Sequence, residues 1–207
     1  MSALADVKHY DRVFDGQKHY RTLLQCTARP GTIGQLDDVL LEVPSLLNHA
    51  TALLALALFS GDISYYLSEN EAAAANFIQR ETFAKPASAE QADFLILTDG
   101  NRLEGLQQAK LGNLSFPDLG ASAVLQVAAI SPAPLTDSLR LTLTGPGIES
   151  EAVVYVLGAH ETFLETLRER NAEFPMGVDS FLTCDSLSAG PCVMALSRTT
   201  RVHWERV

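Results

Sequence analysis

Short apolar runs of strand length alternate with helical segments along this chain, and that interleaving confines it to layered α/β architectures. Phe94-Leu95-Ile96-Leu97, Ala123 to Ile130 and Val153 to Leu157 are such runs. Leu139, Leu141 and Leu143 alternate with Arg140, Thr142 and Thr144, the period of a strand with one buried face. Ile63 to Leu67 adds a short strand, Val178 to Cys184 and Val193 to Leu196 two more, and a tail strand falls near Val202. Several connections are too short for crossover helices, so the sheet must be mixed. The expectation is a single α/β domain over residues 1–207, a layered mixed sheet flanked by helices.

The helices follow from periodicity and end signals. Residues Asp15 to Ala28 place Tyr20, Leu23, Leu24 and Thr27 on one face, and Pro30-Gly31 stops the turn. Asn48 is a cap for a second helix through Phe59, apolar all round and therefore buried. Ser68 to Glu71 has capping-box spacing and opens a third helix to about Arg80. A weak helix follows near Leu103 to Lys110, and His160 to Glu173 turns Phe163, Leu164 and Leu167 inward.

Composition removes several function classes. The N-terminus lacks an apolar signal region, and the longest apolar run, Ala52 to Phe59, is far below a membrane span, so a cytoplasmic protein is expected. A net charge of −10 with scattered basic residues argues against nucleic-acid binding. Cys26, Cys184 and Cys192 form no disulfide framework and no metal-ligand spacing; they read as structural or incidental. His9, His49 and His203 join no ligand motif, and His19 and His160 read as solvent-facing helix residues.

No catalytic set emerges. There is no Gly-x-Ser-x-Gly elbow and no Walker lysine, and none of Lys8, Lys18, Lys85 or Lys110 suits a pyridoxal-phosphate Schiff base. Gly145-Pro146-Gly147 follows a strand and is either a phosphate-cradling turn or, as residue preference favours, a tight turn between strands. Arg198-Thr199-Thr200-Arg201 leaves an apolar strand, where it is either a solvated edge or an anion site built on guanidinium forks. Arg29 closes the first helix, favourably placed against its dipole.

Taken together, these residues resemble a known family. Asp15-x-Gln17-x-x-Tyr20-Arg21-x-Leu23-Leu24 running into Ala28-Arg29-Pro30-Gly31 is similar to the N-terminal signature of the PhnH family, from the bacterial carbon–phosphorus lyase system. The likeness continues through Gly120-Ala121, Leu141 to Ile148, Phe174-Pro175-Met176-Gly177-Val178-Asp179 and Leu196 to Thr200. Cys26-Thr27 departs from the family's Ala-Met, Ser197 stands for a proline, and Asp185 to Pro191 looks like a longer turn.

The resemblance implies a fold like the large domain of pyridoxal-phosphate-dependent transferases, without that cofactor or any other. It implies a cytoplasmic complex with PhnG, PhnI and PhnJ subunits, and a homodimer. Its assembly joins an alkylphosphonate to the ribose of ATP with loss of adenine, giving a ribose 1-phosphonate 5-triphosphate. For this chain the expectation is a subunit with no catalytic residue of its own, Arg29, Gly145, Gly147, Arg198 and Thr199 being the candidates for binding an anion. The alternatives are a free-standing small-molecule transferase and a phosphate-ester-sensing regulatory subunit.

Overall fold

The computed structural model describes residues 9–37, 39–186 and 190–207. Its helices are α1 (Phe14–Ala28), α2 (His49–Leu58), α3 (Ala72–Thr82), α4 (Glu104–Gln108) and α5 (Glu161–Arg170). Its strands are β1 (Ile33–Gln35), β2 (Ser64–Leu67), β3 (Lys85–Pro86), β4 (Phe94–Leu97), β5 (Ser122–Gln126) and β6 (Ala129–Ser131). Then come β7 (Leu139–Thr144), β8 (Ala152–Leu157), β9 (Asp179–Ser186), β10 (Gly190–Leu196) and β11 (Arg201–Arg206).

Two sheets form where one was expected. The larger has seven strands in the order β1-β10-β9-β5-β4-β2-β3. Its centre, β9-β5-β4-β2, and the edge strand β3 pair parallel, while β10 and β1 add antiparallel. A four-stranded antiparallel sheet, β11-β7-β8-β6, covers one face. Alternate residues of the larger sheet enter different cores. Leu95, Leu97, Leu125, Leu182 and Met194 meet β7, β8 and α5. Ile96, Val124, Phe181 and Val193 meet α1, α2 and α3. Strands covered on both faces need no polar alternation, which explains their continuous apolar character.

The run Ala123 to Ile130 does not make one strand. It leaves the larger sheet after Gln126 and enters the smaller one at Ala129. Both halves are apolar because both sheets contribute to the same core, so hydrophobicity hides the switch. The expected capping box at Ser68 is also absent. Glu71 precedes α3 without a side-chain cap bond, and Ser68 Oγ instead pairs with Thr98 Oγ1 at 3.1 Å beyond β4.

Helix α1 is rotated from its expected orientation. Asp15, His19, Leu23 and Cys26 face inward, whereas Tyr20 and Leu24 are about half exposed. His19 is therefore buried, not solvent-facing, with its ring 5.7 Å from that of Tyr10. His160 is half-buried and immediately precedes α5. Asp11 opens α1 by accepting from the N–H groups of Val13 and Phe14 at 2.8 and 2.9 Å.

Asn48 does cap α2: its side chain accepts from Thr51 N–H at 2.7 Å. Its amide also donates to the Thr183 carbonyl of β9 at 3.0 Å. Asp185, also on β9, accepts from the N–H groups of His49 and Ala50 at 2.7 and 3.0 Å. The helix start is thus fastened to the sheet by two side chains. Asn48→Ala is expected to cost about 1–2 kcal/mol, lowering the thermal midpoint by roughly 2–8 °C in a calorimetric scan. Asp185 limits the loss by retaining its share of the helix N–H groups.

Candidate functional site

A cavity of about 940 Å³ opens beyond the end of β10, between the β7–β8 turn, the last turn of α5 and strand β11. The Gly145-Pro146-Gly147 segment connects antiparallel strands, so it is a turn between strands and leads into no helix. A Cβ on Gly145 would lie 2.9 Å from the Thr199 carbonyl, so the turn rests directly on the β10–β11 connection. Helix α5 contributes Leu164, Leu167 and Arg168, and Asn171 follows it. Asn171 fixes this corner by exchanging hydrogen bonds with Val178 at 3.1 and 2.7 Å.

The lining is electrostatically one-sided. Among the described residues, Arg168, Arg198 and Arg201 line the cavity without any acidic residue, although the chain carries a net charge of −10. The three cations are not equivalent. Arg198 donates from Nε and Nη2 to Asp179 Oδ2 at 3.1 and 2.7 Å. Its Nη1 donates to the carbonyls of Pro117 and Pro175 at 2.7 and 3.3 Å. Its backbone N–H bonds Asp179 Oδ1 at 2.7 Å. This guanidinium joins the start of β9 to two loops.

Arg168 and Arg201 are exposed and have no carboxylate partner among the described residues. Arg168 lies over the Trp204 ring at 5.1 Å, a cation–π contact that holds it at the cavity wall. Thr200 Oγ1 is buried in the same wall without a hydrogen-bond partner. A recess with two uncommitted guanidiniums, hydroxyl groups and an indole face has the chemistry to take a phosphorylated ligand carrying a flat ring.

Of the five expected binding residues, Gly145, Arg198 and Thr199 line this cavity. Gly147 supports it from outside. A Cβ there would come 2.2 Å from the Ala28 carbonyl and 3.2 Å from Pro30. Arg29, between those two residues, is exposed and lies outside the lining. The sequence reading missed Arg168 and Trp204. They come from α5 and β11, and only the pairing of β11 with β7 brings them beside Gly145.

The model of the bacterial phosphonate metabolism protein family (PhnH) matches residues 8–203 of the chain. The chain belongs to the PhnH family. Among curated relatives, a PhnH subunit of α-D-ribose 1-methylphosphonate 5-triphosphate synthase from Rhizobium meliloti is 31% identical over 198 residues, 94% of each chain. A protein of Stutzerimonas stutzeri, provisionally named C-P lyase subunit protein HtxG, is 33% identical over 192 residues. That match covers 90% of this chain and 85% of the relative.

Of the three expected departures, those at Cys26-Thr27 and Ser197 meet in space, while residues 187–189 of the turn from Asp185 to Pro191 lie outside the described residues. Ser197 Oγ donates to the Thr27 carbonyl at 3.1 Å, and Cys26 Sγ points to the Val193 carbonyl at 3.7 Å. The end of α1 is thereby tied to β10 and to the residue that follows it. Among the described residues, the lysines do not fit a pyridoxal-phosphate Schiff base. Lys18 pairs with Asp37 at 3.1 Å and Lys110 with Asp93 at 2.5 Å, Lys85 is on an exposed edge strand, and Lys8 lies outside the described residues. No group of three or more metal-ligating side chains occurs among the described residues. No described helix is long and apolar enough to cross a membrane.

Proposed function

We propose that this PhnH-family chain is a cytoplasmic, cofactor-free subunit of a carbon–phosphorus lyase complex. In that assembly, PhnG-, PhnI- and PhnJ-type partners complete the transfer of an alkylphosphonate to the ribose of ATP. Adenine leaves, and a ribose 1-phosphonate 5-triphosphate forms. The subunit names of both relatives support the assembly. We further read the chain as one domain whose larger sheet is akin to the large domain of pyridoxal-phosphate-dependent transferases. Alone, it would form a homodimer.

The observation that carries a role in handling phosphorylated ligands is the cavity lined by arginines without acids. Arg168 and Arg201 would neutralise phosphate oxygens, Thr199 and Thr200 would supply hydroxyl donors, and Trp204 would face a base or sugar. None of these groups is a nucleophile or base poised for the displacement itself. The chain therefore positions a ligand while its partners perform the reaction.

Its surface suits such an arrangement. Leu114, Phe116, Leu119 and Phe174 are all more than half exposed. The loops bearing Phe116 and Phe174 are joined through Arg198, which bonds the adjacent carbonyls of Pro117 and Pro175. Large apolar side chains fixed at a surface fit a protein contact.

Titration calorimetry with ATP tests the ligand role. The purified chain is expected to bind saturably, and Arg201→Ala to weaken binding by about tenfold, the loss of one charge-assisted hydrogen bond. The same preparation, mixed with ATP and methylphosphonate, is expected to release no adenine. No binding would remove the ligand role; adenine release would remove the subunit reading in favour of a free-standing transferase.

A further inference from the structure

Cys184 on β9 and Cys192 on β10 are direct partners in the antiparallel register. Their Sγ atoms are 2.9 Å apart, and both are free thiols. Directly opposed residues in an antiparallel pair have Cα separations of about 4.5–5.5 Å, within the range a disulfide bridges. A bond of about 2.05 Å requires the sulfurs to approach by only about 0.9 Å more. The two residues differ in access. Cys184 is wholly buried, while Cys192, 3% exposed, lines a separate cleft of about 410 Å³ with Ile33, Ala129 and Ser186.

We infer that Cys184 and Cys192 form an oxidisable dithiol that a small peroxide converts to an intrachain disulfide, with Cys192 oxidised first from the cleft. The Cys192 thiolate attacks one oxygen of hydrogen peroxide, the O–O bond breaks, and the departing hydroxide takes up a proton to leave as water. Cys192 is then a sulfenic acid. Cys184 sulfur attacks Cys192 sulfur; the S–S bond forms, the S–O bond breaks, and the hydroxide leaves as water with the Cys184 proton. Two thiols lose two electrons and one peroxide becomes two waters.

Access sets the order of attack, since Cys192 lines the cleft and Cys184 is wholly buried. The hydrogen bond between them supports it by drawing the Cys192 thiol down. In a reducing cytoplasm the pair rests as thiols, and a thiol reductant restores it after oxidation. The third cysteine, Cys26, is buried on the inward face of α1 and takes no part.

Alkylation counting tests this on the wild-type chain. Reduced protein, denatured and treated with iodoacetamide, carries three labels, one for each cysteine. After brief exposure to stoichiometric hydrogen peroxide it is expected to lose two of them and to regain both with dithiothreitol. Trypsin leaves Cys184 and Cys192 together in peptide 171–198, and Cys26 in peptide 22–80 because the Arg29–Pro30 bond resists cleavage. The expected product is therefore peptide 171–198 lighter by two hydrogens and unlabelled, beside a labelled peptide 22–80. Cys184→Ser is expected to stall Cys192 as a sulfenic acid that dimedone captures. Three labels after peroxide, or irreversible oxygen addition to the wild-type peptide, overturn the inference whether or not the variant folds.

Discussion

Replacing Arg198 with alanine is expected to lower the thermal midpoint of this protein by roughly 6–12 °C. The guanidinium is 14% exposed and its partner Asp179 31% exposed, so water only partly screens the pair. Removing one member of such a pair leaves a carboxylate short of donors and costs about 3 kcal/mol, the lower end for a buried ion pair. Two carbonyl acceptors, those of Pro117 and Pro175, lose their donor at the same time. Arg198→Lys is expected to recover only part of the loss, because an ammonium cannot reach Asp179 and both carbonyls as a planar fork does. Calorimetry on both variants separates two roles for this residue. A side chain reserved for ligand would leave the free protein's midpoint unchanged on removal, whereas one that fixes loops would not.

Gly147→Ala is the second large effect, also about 3 kcal/mol. The backbone there has φ +84°, and a new Cβ would meet the Ala28 carbonyl at 2.2 Å. That neighbour is backbone at the end of α1 and cannot rotate away, so the β7–β8 turn must lift off the helix. Gly190 provides the comparison: φ is +74°, yet no described residue lies within 4 Å of its added Cβ. Gly190→Ala should therefore show backbone strain alone, about 1–2 kcal/mol. A midpoint for Gly147→Ala no lower than that for Gly190→Ala would show that the turn does not bear on α1. It would also remove the reason for this glycine in the motif.

Much of the architecture was written locally. The Leu139, Leu141, Leu143 alternation returned as the inward face of β7, and Asn48 as the cap of α2. What escaped was what distant partners decide. The switch between sheets after Gln126 carries no polar signal, because one apolar core receives both strands. Residues Ile33–Gln35 and Lys85–Pro86 became strands only because β10 and β2 offered edges to pair with. On α1 the apolar Tyr20 and Leu24 suggested the buried face, yet the acidic Asp15 and the imidazole of His19 were taken inside. A polar pair buried beside Tyr10 defeats a reading based on hydrophobicity alone.

The candidate site was legible to the same degree. Gly145, Arg198 and Thr199 stand in short motifs and reach one cavity. The motifs could not tell which arginine was committed: Arg198 is held by Asp179, nineteen positions away, while Arg168 and Arg201 have no carboxylate partner among the described residues. A sign of Arg168 was present in its position next to the inward-facing Leu164 and Leu167 of α5. Trp204 required knowledge of β11 pairing with β7.

Co-expression of this chain with PhnG-, PhnI- and PhnJ-type subunits, followed by affinity capture and native mass measurement, addresses the central claim most directly. A single species containing all four polypeptides is the predicted result. A chain that elutes by itself at micromolar concentration, with every partner folded and present, would contradict it.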